Sequence, residues 1–336
     1  MTIRERVPLS QLTTLRVGGP ARFVAECEHE DDVRTALDFA KERGLPWRLL
    51  GSGSNVLARD AGYEGVLLHM RIGACDFEDE RERATIIAGA GIVWDELVRR
   101  AADKGLWGIE NLAGIPGTVG AAPVQNIGAY GAELRDTFLF VDAYDAGRGN
   151  AQRLGADACG FGYRESRFKQ EPQLIILRVA LRLSRLPAPK LSYADLAALA
   201  TAGEELDTPA KIGEAVRTIR AGKFPDLRKY GTAGSFFKNP ILTQEAYRVL
   251  CTRYPGLPGF ASDYGIKVPL AWILDHVLDL RGFSQGKARL FERQPLVIVT
   301  ETGASSDDVD RCADEVVKRV LEATGIMLER EVRLFP

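Results

Sequence analysis

The stretch LLGSGSNVL, Leu49 to Leu57, decides which type of phosphate-binding fold this chain can have. An apolar run leads into glycines and small residues, and the backbone N–H groups of such a turn can form a concave anion site. The Rossmann pattern GxGxxG fails, because its sixth position is Val56 and the following ARDAGYEG predicts a turn rather than a helix. A Walker A motif also fails, since GFSQGK is one residue short and is followed by Ala288. Alone, LLGSGSNVL is equally compatible with an ordinary tight turn.

A second stretch, NLAGIPGTVGAAPVQNIGAYG at 111–131, contains too many glycines and prolines for a long helix or strand. It carries no charge, so we expect a loop that packs against other elements, where its backbone groups find partners. Asn111, Gln125 and Asn126 can bind the edge of a ring or of a ribose. Two such loops framing an α/β region indicate a large, mostly neutral ligand with a pyrophosphate, a description that a flavin dinucleotide fits.

Apolar residues at spacings of three and four predict helices, and short apolar runs predict strands. The predicted helices cover 31–44, 93–105, 192–200, 208–222, 243–254, 269–280 and 305–325. The predicted strands cover 47–50, 85–91, 173–183, 295–300 and 326–335. This mixture of elements predicts a fold of the α/β or α+β class.

The composition excludes several classes of protein. The chain has 336 residues, of which 46% are hydrophobic and 27% charged, which is typical of a globular protein with two or three domains. A formal net charge of -2 with dispersed basic residues argues against nucleic acid as a partner. The first residues, MTIRERVPLSQLTTLRVGG, are too charged for a signal peptide, and no apolar run of about 18 residues predicts a membrane span.

The cysteines and histidines are scattered along the chain. The five cysteines form no CxxC pair, which indicates reduced thiols and a cytoplasmic location. The three histidines form no metal-ligand pattern and no triad, so we predict no metal site. If the protein is an enzyme, a bound cofactor supplies its chemistry.

Five motifs occur in the order LGSGSNVL, AGIPGTVGAAPVQNIGAYG, YRES, AGSFFKNP and LEREV. Together they resemble those of the UDP-N-acetylenolpyruvoylglucosamine reductase family, type I branch, over nearly the whole chain. The resemblance implies an FAD-binding region of the vanillyl-alcohol oxidase type (the PCMH-type fold), in agreement with the failed Rossmann pattern. It implies two α+β FAD-binding subdomains, 1–70 and 71–190, and a C-terminal α+β substrate-binding domain, 191–325. The last strand, 326–336, is able to return to the first subdomain.

The resemblance also implies the cofactors and the reaction. NADPH reduces FAD, and flavin N5 then gives a hydride to the enolpyruvyl group of UDP-N-acetylglucosamine enolpyruvate, forming UDP-N-acetylmuramate for peptidoglycan precursors. The residues expected to bind FAD lie in the two glycine-rich stretches: Gly51, Ser52, Gly53, Ser54, Asn55, Gly114, Thr118, Gly120, Ala121, Asn126 and Gly128.

Three residues match the catalytic positions of the family. Arg164, in GYRESRF, offers a fixed guanidinium fork to a carboxylate that gains charge. Glu331, in LEREV, matches a group that polarises this carboxylate or supplies a proton, and Arg330 stands where the usual motif has proline. Ser235, in AGSFFKNP, matches the proton donor to the carbon left carbanionic by hydride attack. Without the resemblance, Ser235 is interpreted as a turn residue.

Four further residues match positions near the UDP-sugar, and these are Tyr163, Tyr193, Lys223 and Asn239. Lysine supplies a point charge for a diphosphate. Phe260 replaces a tyrosine that the type I pattern often has, which removes a hydrogen bond from the lid over the substrate. The expected partner is a small-molecule substrate, and the expected oligomeric state is a monomer.

Two other functions remain open. One is an FAD-dependent oxidase of the same fold class, and AGSFFKNP together with LEREV argues against it. The other is a UDP-sugar-binding protein without flavin and without catalysis.

Overall fold

The computed structural model of the protein describes residues 1–335, in which strands and helices are mixed along the chain. The strands are β1 (Thr2–Pro8), β2 (Pro20–Cys27), β3 (Trp47–Leu50), β4 (Val56–Ala58), β5 (Tyr63–Met70), β6 (Cys75–Asp79), β7 (Arg83–Gly89), β8 (Gly128–Ala129), β9 (Ala132–Glu133), β10 (Phe138–Asp145), β11 (Asn150–Gly155), β12 (Leu174–Ser184), β13 (Gly231–Ser235), β14 (Ile241–Leu242), β15 (Phe260–Ser262), β16 (Gly265–Lys267), β17 (Ser284–Gln285), β18 (Ala288–Phe291), β19 (Gln294–Thr300) and β20 (Arg333–Phe335). The α-helices are α1 (Glu30–Glu42), α2 (Trp94–Asp103), α3 (Ala156–Cys159), α4 (Arg167–Gln170), α5 (Ala194–Thr201), α6 (Pro209–Lys223), α7 (Gln244–Arg253), α8 (Leu270–Trp272) and α9 (Ser306–Thr324).

The chain divides into two compact units. The first comprises Met1–Val7, Ala21–Ser52 and Glu64–Ala221, and the second comprises Pro8–Pro20, Gly53–Tyr63 and the chain from Gly222 onward. One border lies inside LLGSGSNVL, so the two halves of this turn belong to different units. The three domains expected at 1–70, 71–190 and 191–325 stay a prediction.

The first unit contains two main sheets. One has the strand order β1-β2-β5-β3, in which β3 and β5 are parallel. The other has the order β11-β10-β12-β7-β6 and is antiparallel throughout. Helix α1 packs Val33 and Ala36 into the core of the first sheet, and α2 packs Leu97 and Val98 into the core of the second. The helical spacing of these apolar residues is the reason that each helix buries one face.

The second unit contains an antiparallel sheet of order β13-β19-β18-β17 and a smaller one of order β14-β16-β15. Strands β20 and β4 pair in parallel, which brings the C-terminal end of the chain beside residues 56–58. Helix α9 begins with a capping box, in which Asp308 N–H donates to Ser305 Oγ at 3.1 Å. Its apolar face, with Val309, Ala313 and Val316, lies in the core of this unit.

Most predicted helices and strands are confirmed within a few residues, but the predicted helix 269–280 is wrong in part. Only α8 is α-helical, and a π-helical turn follows at Ile273–Val277. Leu278 N–H closes this turn by donating to Ile273 O at 3.1 Å. A π turn is wider than an α turn, but a single π segment of five residues shifts the apolar spacing too little for the sequence pattern to separate the two.

The predicted strand 326–335 is also too long, because only β20 forms. Ile326 and Leu328 are buried while Met327 is exposed, which is the alternation typical of a strand. A strand also needs a partner edge. Residues 329–331 find one only in a single bridge, between Phe237 and Arg330, before the chain reaches β4.

Candidate active site

The first half of LLGSGSNVL, with Gly51 and Ser52, lies in the first unit at the end of β3. A Cβ atom on Gly51 would lie 2.6 Å from Thr118 Oγ1, so glycine allows the two glycine-rich stretches to approach closely. Ser52 Oγ is buried and has no hydrogen-bond partner among residues 1–335. A buried hydroxyl without a partner is costly, and a bound ligand can supply that partner.

The second glycine-rich stretch is attached to the end of β7 by backbone hydrogen bonds. Val119 N–H donates to Ile92 O at 2.8 Å, and Gly120 N–H donates to Ala90 O at 2.9 Å. A Cβ atom on Gly120 would lie 2.5 Å from Ala90 Cβ, so only glycine fits here. The turn that contains Thr118, Gly120 and Ala121 is therefore fixed in position.

Side chains from two helices hold Gly114, whose φ is +68°. Its N–H donates to Asp95 Oδ1 at 2.7 Å, and its carbonyl accepts from Arg220 Nε at 3.0 Å. Asp95 in turn accepts from Arg217 Nε, which lies 3.0 Å from both carboxylate oxygens. Burial alone would raise the pKa of Asp95, but hydrogen bonds from Arg217 and Gly114 lower this pKa below its usual value. One aspartate of α2 and two arginines of α6 thus position the loop.

Asn126 fixes the other end of the same stretch. Its φ of +43° lies in the left-handed region, which asparagine adopts more readily than most residues. Its Nδ2 donates to Glu133 Oε2 at 2.9 Å and to Gly162 O at 3.2 Å, and its Oδ1 accepts from Arg135 N–H at 3.1 Å. Because these side-chain groups bind other parts of the protein, we expect any contact with a cofactor to come from the backbone of Asn126.

The motif YRES forms a tight turn closed by two backbone hydrogen bonds between Gly162 and Glu165. Arg164 lies within it at a φ of +54°, a conformation that is strained for a residue with a side chain and is common at functional sites. Its Nη2 donates to Gly128 O at 2.7 Å, and Lys169 Nζ donates to its carbonyl. The structure therefore brings together Arg164 and Gly128, two of the predicted site residues.

Tyr193 precedes α5 and is 45% exposed. Its ring contacts the buried ring of Tyr130 edge to face, with the centroids 5.1 Å apart. Burial, opposed in part by Arg220, raises the pKa of Tyr130 to about 12. The pair therefore consists of a neutral buried phenol and an exposed one that a ligand can reach.

The second half of LLGSGSNVL belongs to the second unit. Gly53 has a φ of +62°, and a Cβ atom there would lie 2.3 Å from Leu12 O. Gly53 O accepts from Thr14 N–H at 3.1 Å. Thr14 also pairs with Thr232, since Thr232 N–H donates to Thr14 O at 2.9 Å and Thr14 Oγ1 donates to Thr232 O at 2.7 Å. Thr14 therefore connects the glycine turn to the strand that ends at Ser235.

Ser235 directly follows a β-bulge in β13. Thr232 pairs with Val299 and Ser235 with Val297, so three steps along β13 face two steps along β19. Gly234, inside the bulge, has a φ of +75°, and no atom lies within 4 Å of where its Cβ would be. Glycine is thus required for its backbone conformation rather than for space. A bulge redirects the side chains beside it, so Gly234 sets the direction of Ser235.

The segment that carries Glu331 pairs with the segment that follows Ser235. Glu331 N–H donates to Phe236 O at 2.8 Å. Asn55 Nδ2 donates to Glu331 O at 3.2 Å. The structure therefore brings Ser235, Glu331 and Asn55 to neighbouring segments of the second unit.

The remaining predicted substrate residues lie near helix ends. Lys223 is the last residue of α6. Asn239 Oδ1 accepts from Leu270 N–H at 3.0 Å, at the start of α8. Tyr163, Arg164 and Tyr193 belong to the first unit, while Lys223, Ser235, Asn239 and Glu331 belong to the second. Their convergence on one ligand stays a prediction.

Sequence reasoning missed four residues that support the site, namely Thr14, Asp95, Arg217 and Arg220. Thr14 lies in TTLRVGG, where two threonines before an apolar residue and two glycines are the only local signal. Arg217 and Arg220 are three residues apart on α6, so they share one face of that helix. Nothing in the sequence indicates that this face meets Asp95, because the partner is 122 residues away.

The polar groups of the first unit fit a dinucleotide such as FAD. Ser52 offers a buried hydroxyl without a partner, and Gly51 and Gly120 stand where any Cβ would collide with a neighbour. Glycine-rich turns expose backbone N–H groups, which suit a pyrophosphate.

Comparison with known proteins gives independent information. Residues 21–155 match the family model described as FAD binding domain, and residues 226–335 match that of the UDP-N-acetylenolpyruvoylglucosamine reductase C-terminal domain. The chain is 37% identical over 328 residues to the UDP-N-acetylenolpyruvoylglucosamine reductase of Escherichia coli strain K12, with 97% of this chain and 94% of the relative covered. It is 38% identical over 340 residues to the enzyme of the same name from Pseudomonas aeruginosa, with 100% and 99% covered.

A similar solved structure is that of UDP-N-acetylenolpyruvylglucosamine reductase from Thermus caldophilus. It shares 28% sequence identity, has a TM-score of 0.70 and covers 100% of both chains. The predicted fold class, an FAD-binding region with a C-terminal α+β domain, is confirmed by this agreement.

Proposed function

This chain belongs to the UDP-N-acetylenolpyruvoylglucosamine reductase family and is a flavoenzyme, and we propose that it reduces UDP-N-acetylglucosamine enolpyruvate to UDP-N-acetylmuramate with NADPH. The product is a precursor of peptidoglycan. The observation that carries the proposal is the match of residues 226–335 to the C-terminal domain of this family. That region contains Ser235 and Glu331, which lie on segments joined by the Glu331–Phe236 hydrogen bond.

When bound, FAD supplies the hydride chemistry, and the residues of this chain supply positive charge, a proton and an anchor. We propose that the guanidinium fork of Arg164 binds the substrate carboxylate as negative charge develops next to it. Glu331 is proposed to polarise the same carboxylate or to supply a proton. Close to a substrate carboxylate, the protonated form of Glu331 would be favoured.

Ser235 is proposed to donate its proton to the carbon next to the carboxylate. A serine hydroxyl is a poor acid in water, but it is sufficient against a carbanion when neighbouring donors stabilise the alkoxide. Gly234 supports this role, because its bulge determines the direction of the hydroxyl. The UDP-sugar is proposed to bind Lys223, Asn239, Tyr193 and Tyr163.

Purified protein tests this proposal in two half-reactions. We expect flavin absorbance, bleaching by NADPH under anaerobic conditions, and reoxidation on addition of UDP-N-acetylglucosamine enolpyruvate. Absence of flavin would favour a UDP-sugar-binding protein. Reduced flavin that reacts with oxygen but not with the enolpyruvyl substrate would favour an oxidase.

We also propose that the protein acts as a monomer in the cytoplasm. All five cysteines are free, which suits a reducing compartment. Separately, no helix within residues 1–335 is long and apolar enough to cross a membrane. Light scattering of the purified protein should give a mass near 36.8 kDa, and a multiple of that mass would contradict the monomer.

A further inference from the structure

Arg330, the residue before Glu331, is bound by its side chain to helix α9. Its Nη1 lies 2.6 Å from Asp310 Oδ1, and its Nη2 lies 2.7 Å from Asp314 Oδ1. The two aspartates are one helical turn apart, so their carboxylates face the same side and each receives one arm of the guanidinium. The Arg330 guanidinium also lies 5.7 Å from the centre of the Phe236 ring.

The backbone of Arg330 contributes no hydrogen bond to the bridge in which it lies. Arg330 and Phe237 face each other in antiparallel orientation. The bridge is closed by Glu331 N–H donating to Phe236 O at 2.8 Å and by the residue before Arg330, whose carbonyl accepts from Lys238 N–H at 2.9 Å. The facing residues of such a pair direct their own N–H and C=O groups away from each other. Arg330 therefore stabilises the bridge through its side chain.

Asp310 connects this arrangement to a second segment. Its other carboxylate oxygen, Oδ2, accepts from Arg59, the residue after β4. The Asp310 side chain is 17% exposed and that of Asp314 is 73% exposed, so the ion pair of Arg330 with Asp310 is the more buried of the two. Exposed ion pairs contribute little to stability on average, so we expect Asp310 to hold Arg330 on α9 more strongly than Asp314 does.

We infer that Arg330 is a positioning residue for Glu331. Its two ion pairs with α9 hold residues 329–331 against Phe236 and thereby fix the Glu331 carboxyl relative to Ser235. Without them, the segment retains the two backbone bonds of one bridge, the hydrogen bond from Asn55 Nδ2 to Glu331 O, and the neighbouring ion pair between Glu329 and Lys238, 2.5 Å apart. The inference rests on the proposed function, because that function assigns the catalytic roles of Ser235 and Glu331.

The test compares Arg330→Gln with Arg319→Gln in the flavin-loaded protein. Arg319 lies on α9 itself and is a matched control, since like Arg330 it forms an ion pair (with Glu315, 2.7 Å) and lies over an aromatic ring (Phe283). For Arg330→Gln we expect amide hydrogen exchange in residues 329–333 to become about tenfold faster, as for loss of a charge-assisted hydrogen bond. Reoxidation by the enolpyruvyl substrate should slow about tenfold, with bleaching by NADPH unchanged. Arg319→Gln should change neither property.

Three further variants keep the inference testable if Arg330→Gln folds poorly. Asp310→Asn leaves the arginine in place and should reproduce the faster exchange, whereas Asp314→Asn should have a smaller effect. Arg330→Pro separates the position of the segment from the charge of Arg330. Proline has no charge but restricts φ, and the N–H that it lacks takes no part in the bridge. If Arg330 acts by holding the segment in position, the amide hydrogens of this segment should exchange more slowly in Arg330→Pro than in Arg330→Gln. Reoxidation by the enolpyruvyl substrate should also be faster in Arg330→Pro.

Several results would overturn the inference. One is unchanged exchange and unchanged reoxidation in Arg330→Gln, and another is an equal loss in Arg319→Gln. A slow reoxidation of Arg330→Pro with normal exchange would mean that the charge of Arg330 matters and its anchoring does not. If the unmodified protein is not reoxidised by the enolpyruvyl substrate, the proposed function fails, and the exchange measurement still decides whether Arg330 anchors the segment.

Discussion

The loop 111–131 of the first unit and the Ser235 segment of the second unit are supported in different ways. Besides its backbone bonds to the end of β7, the loop is held by side chains: Asp95 and Arg220 bind Gly114, and the side chain of Asn126 binds three neighbours. The Ser235 segment is held mainly by backbone bonds to β19, to Thr14 and to the Glu331 segment. Side-chain support fails when one residue is replaced, whereas backbone pairing tolerates most replacements and fails when the backbone conformation changes.

The largest effect is expected for Ser235→Ala. Because backbone bonds hold the segment, the variant should fold and bind flavin normally, and bleaching by NADPH should be unchanged. Reoxidation by the enolpyruvyl substrate should slow by roughly a hundredfold or more, as expected for loss of a general acid. Stopped-flow absorbance measures both steps. An unchanged second step would remove Ser235 from the proposed mechanism.

The next effect concerns Asn126→Ala in the loop of the first unit. The change removes three part-buried hydrogen bonds, to Glu133, Gly162 and Arg135, and each such bond contributes about 0.5–1.5 kcal/mol. Alanine at a φ of +43° adds strain. Urea unfolding should show the loss of stability, and the purified variant should contain less flavin.

Asn150→Ala serves as the control for that comparison, since Asn150 is exposed at the start of β11. Its free energy of unfolding should change by no more than about 0.5 kcal/mol. Equal losses in both variants would mean that the side chain of Asn126 does not support the loop.

A smaller effect is expected for Gly234→Ala, which tests the backbone-supported segment. Gly234 and Gly44 both have positive φ, +75° and +61°, and neither has an atom within 4 Å of its Cβ position. Alanine should therefore cost about 1–2 kcal/mol at either site. Only Gly234→Ala should also slow reoxidation by the enolpyruvyl substrate, since only this glycine directs Ser235. Similar kinetics in the two variants would contradict the role of the bulge.

The smallest effect is a pH dependence due to Asp95. Hydrogen bonds from Arg217 and Gly114 outweigh burial and lower the pKa of Asp95 in the folded protein. Its contribution to stability is therefore fully present above its unfolded pKa of about 3.9 and is lost as the pH falls through the lower folded pKa. The free energies of unfolding of Asp95→Asn and of the unmodified protein, measured in urea, should differ at neutral pH and become equal in acid. The control is Asp38→Asn, an exposed change on α1, which should change the free energy of unfolding by no more than about 0.5 kcal/mol.

Local patterns predicted much of the fold. The apolar spacing predicted helices α1, α2 and α9, because an amphipathic helix depends on residues close together in the chain. The same reasoning is wrong at 273–277 and 326–332, where the local pattern suits a helix and a strand. At 273–277 the chain forms a wider turn, and at 326–332 most of it lacks a partner edge. A periodic sequence pattern indicates neither feature.

The candidate site shows the same division. The motifs around Ser235, Arg164 and Glu331 are recognisable in the sequence, as are the two glycine-rich stretches. The residues that support them, such as Thr14, Asp95 and Arg217, are not, since each acts through a partner far along the chain.

The amino-acid sequence by itself determined most of the helices and strands, the family and the identity of the candidate catalytic residues, because short-range spacing and motif order carry that information. Only the tertiary structure decided that a bulge at Gly234 directs Ser235, that Glu331 pairs beside it, and that α9 binds Arg330. These contacts form between segments up to 95 residues apart (331 − 236), and their geometry depends on the packing of the whole core rather than on local preference.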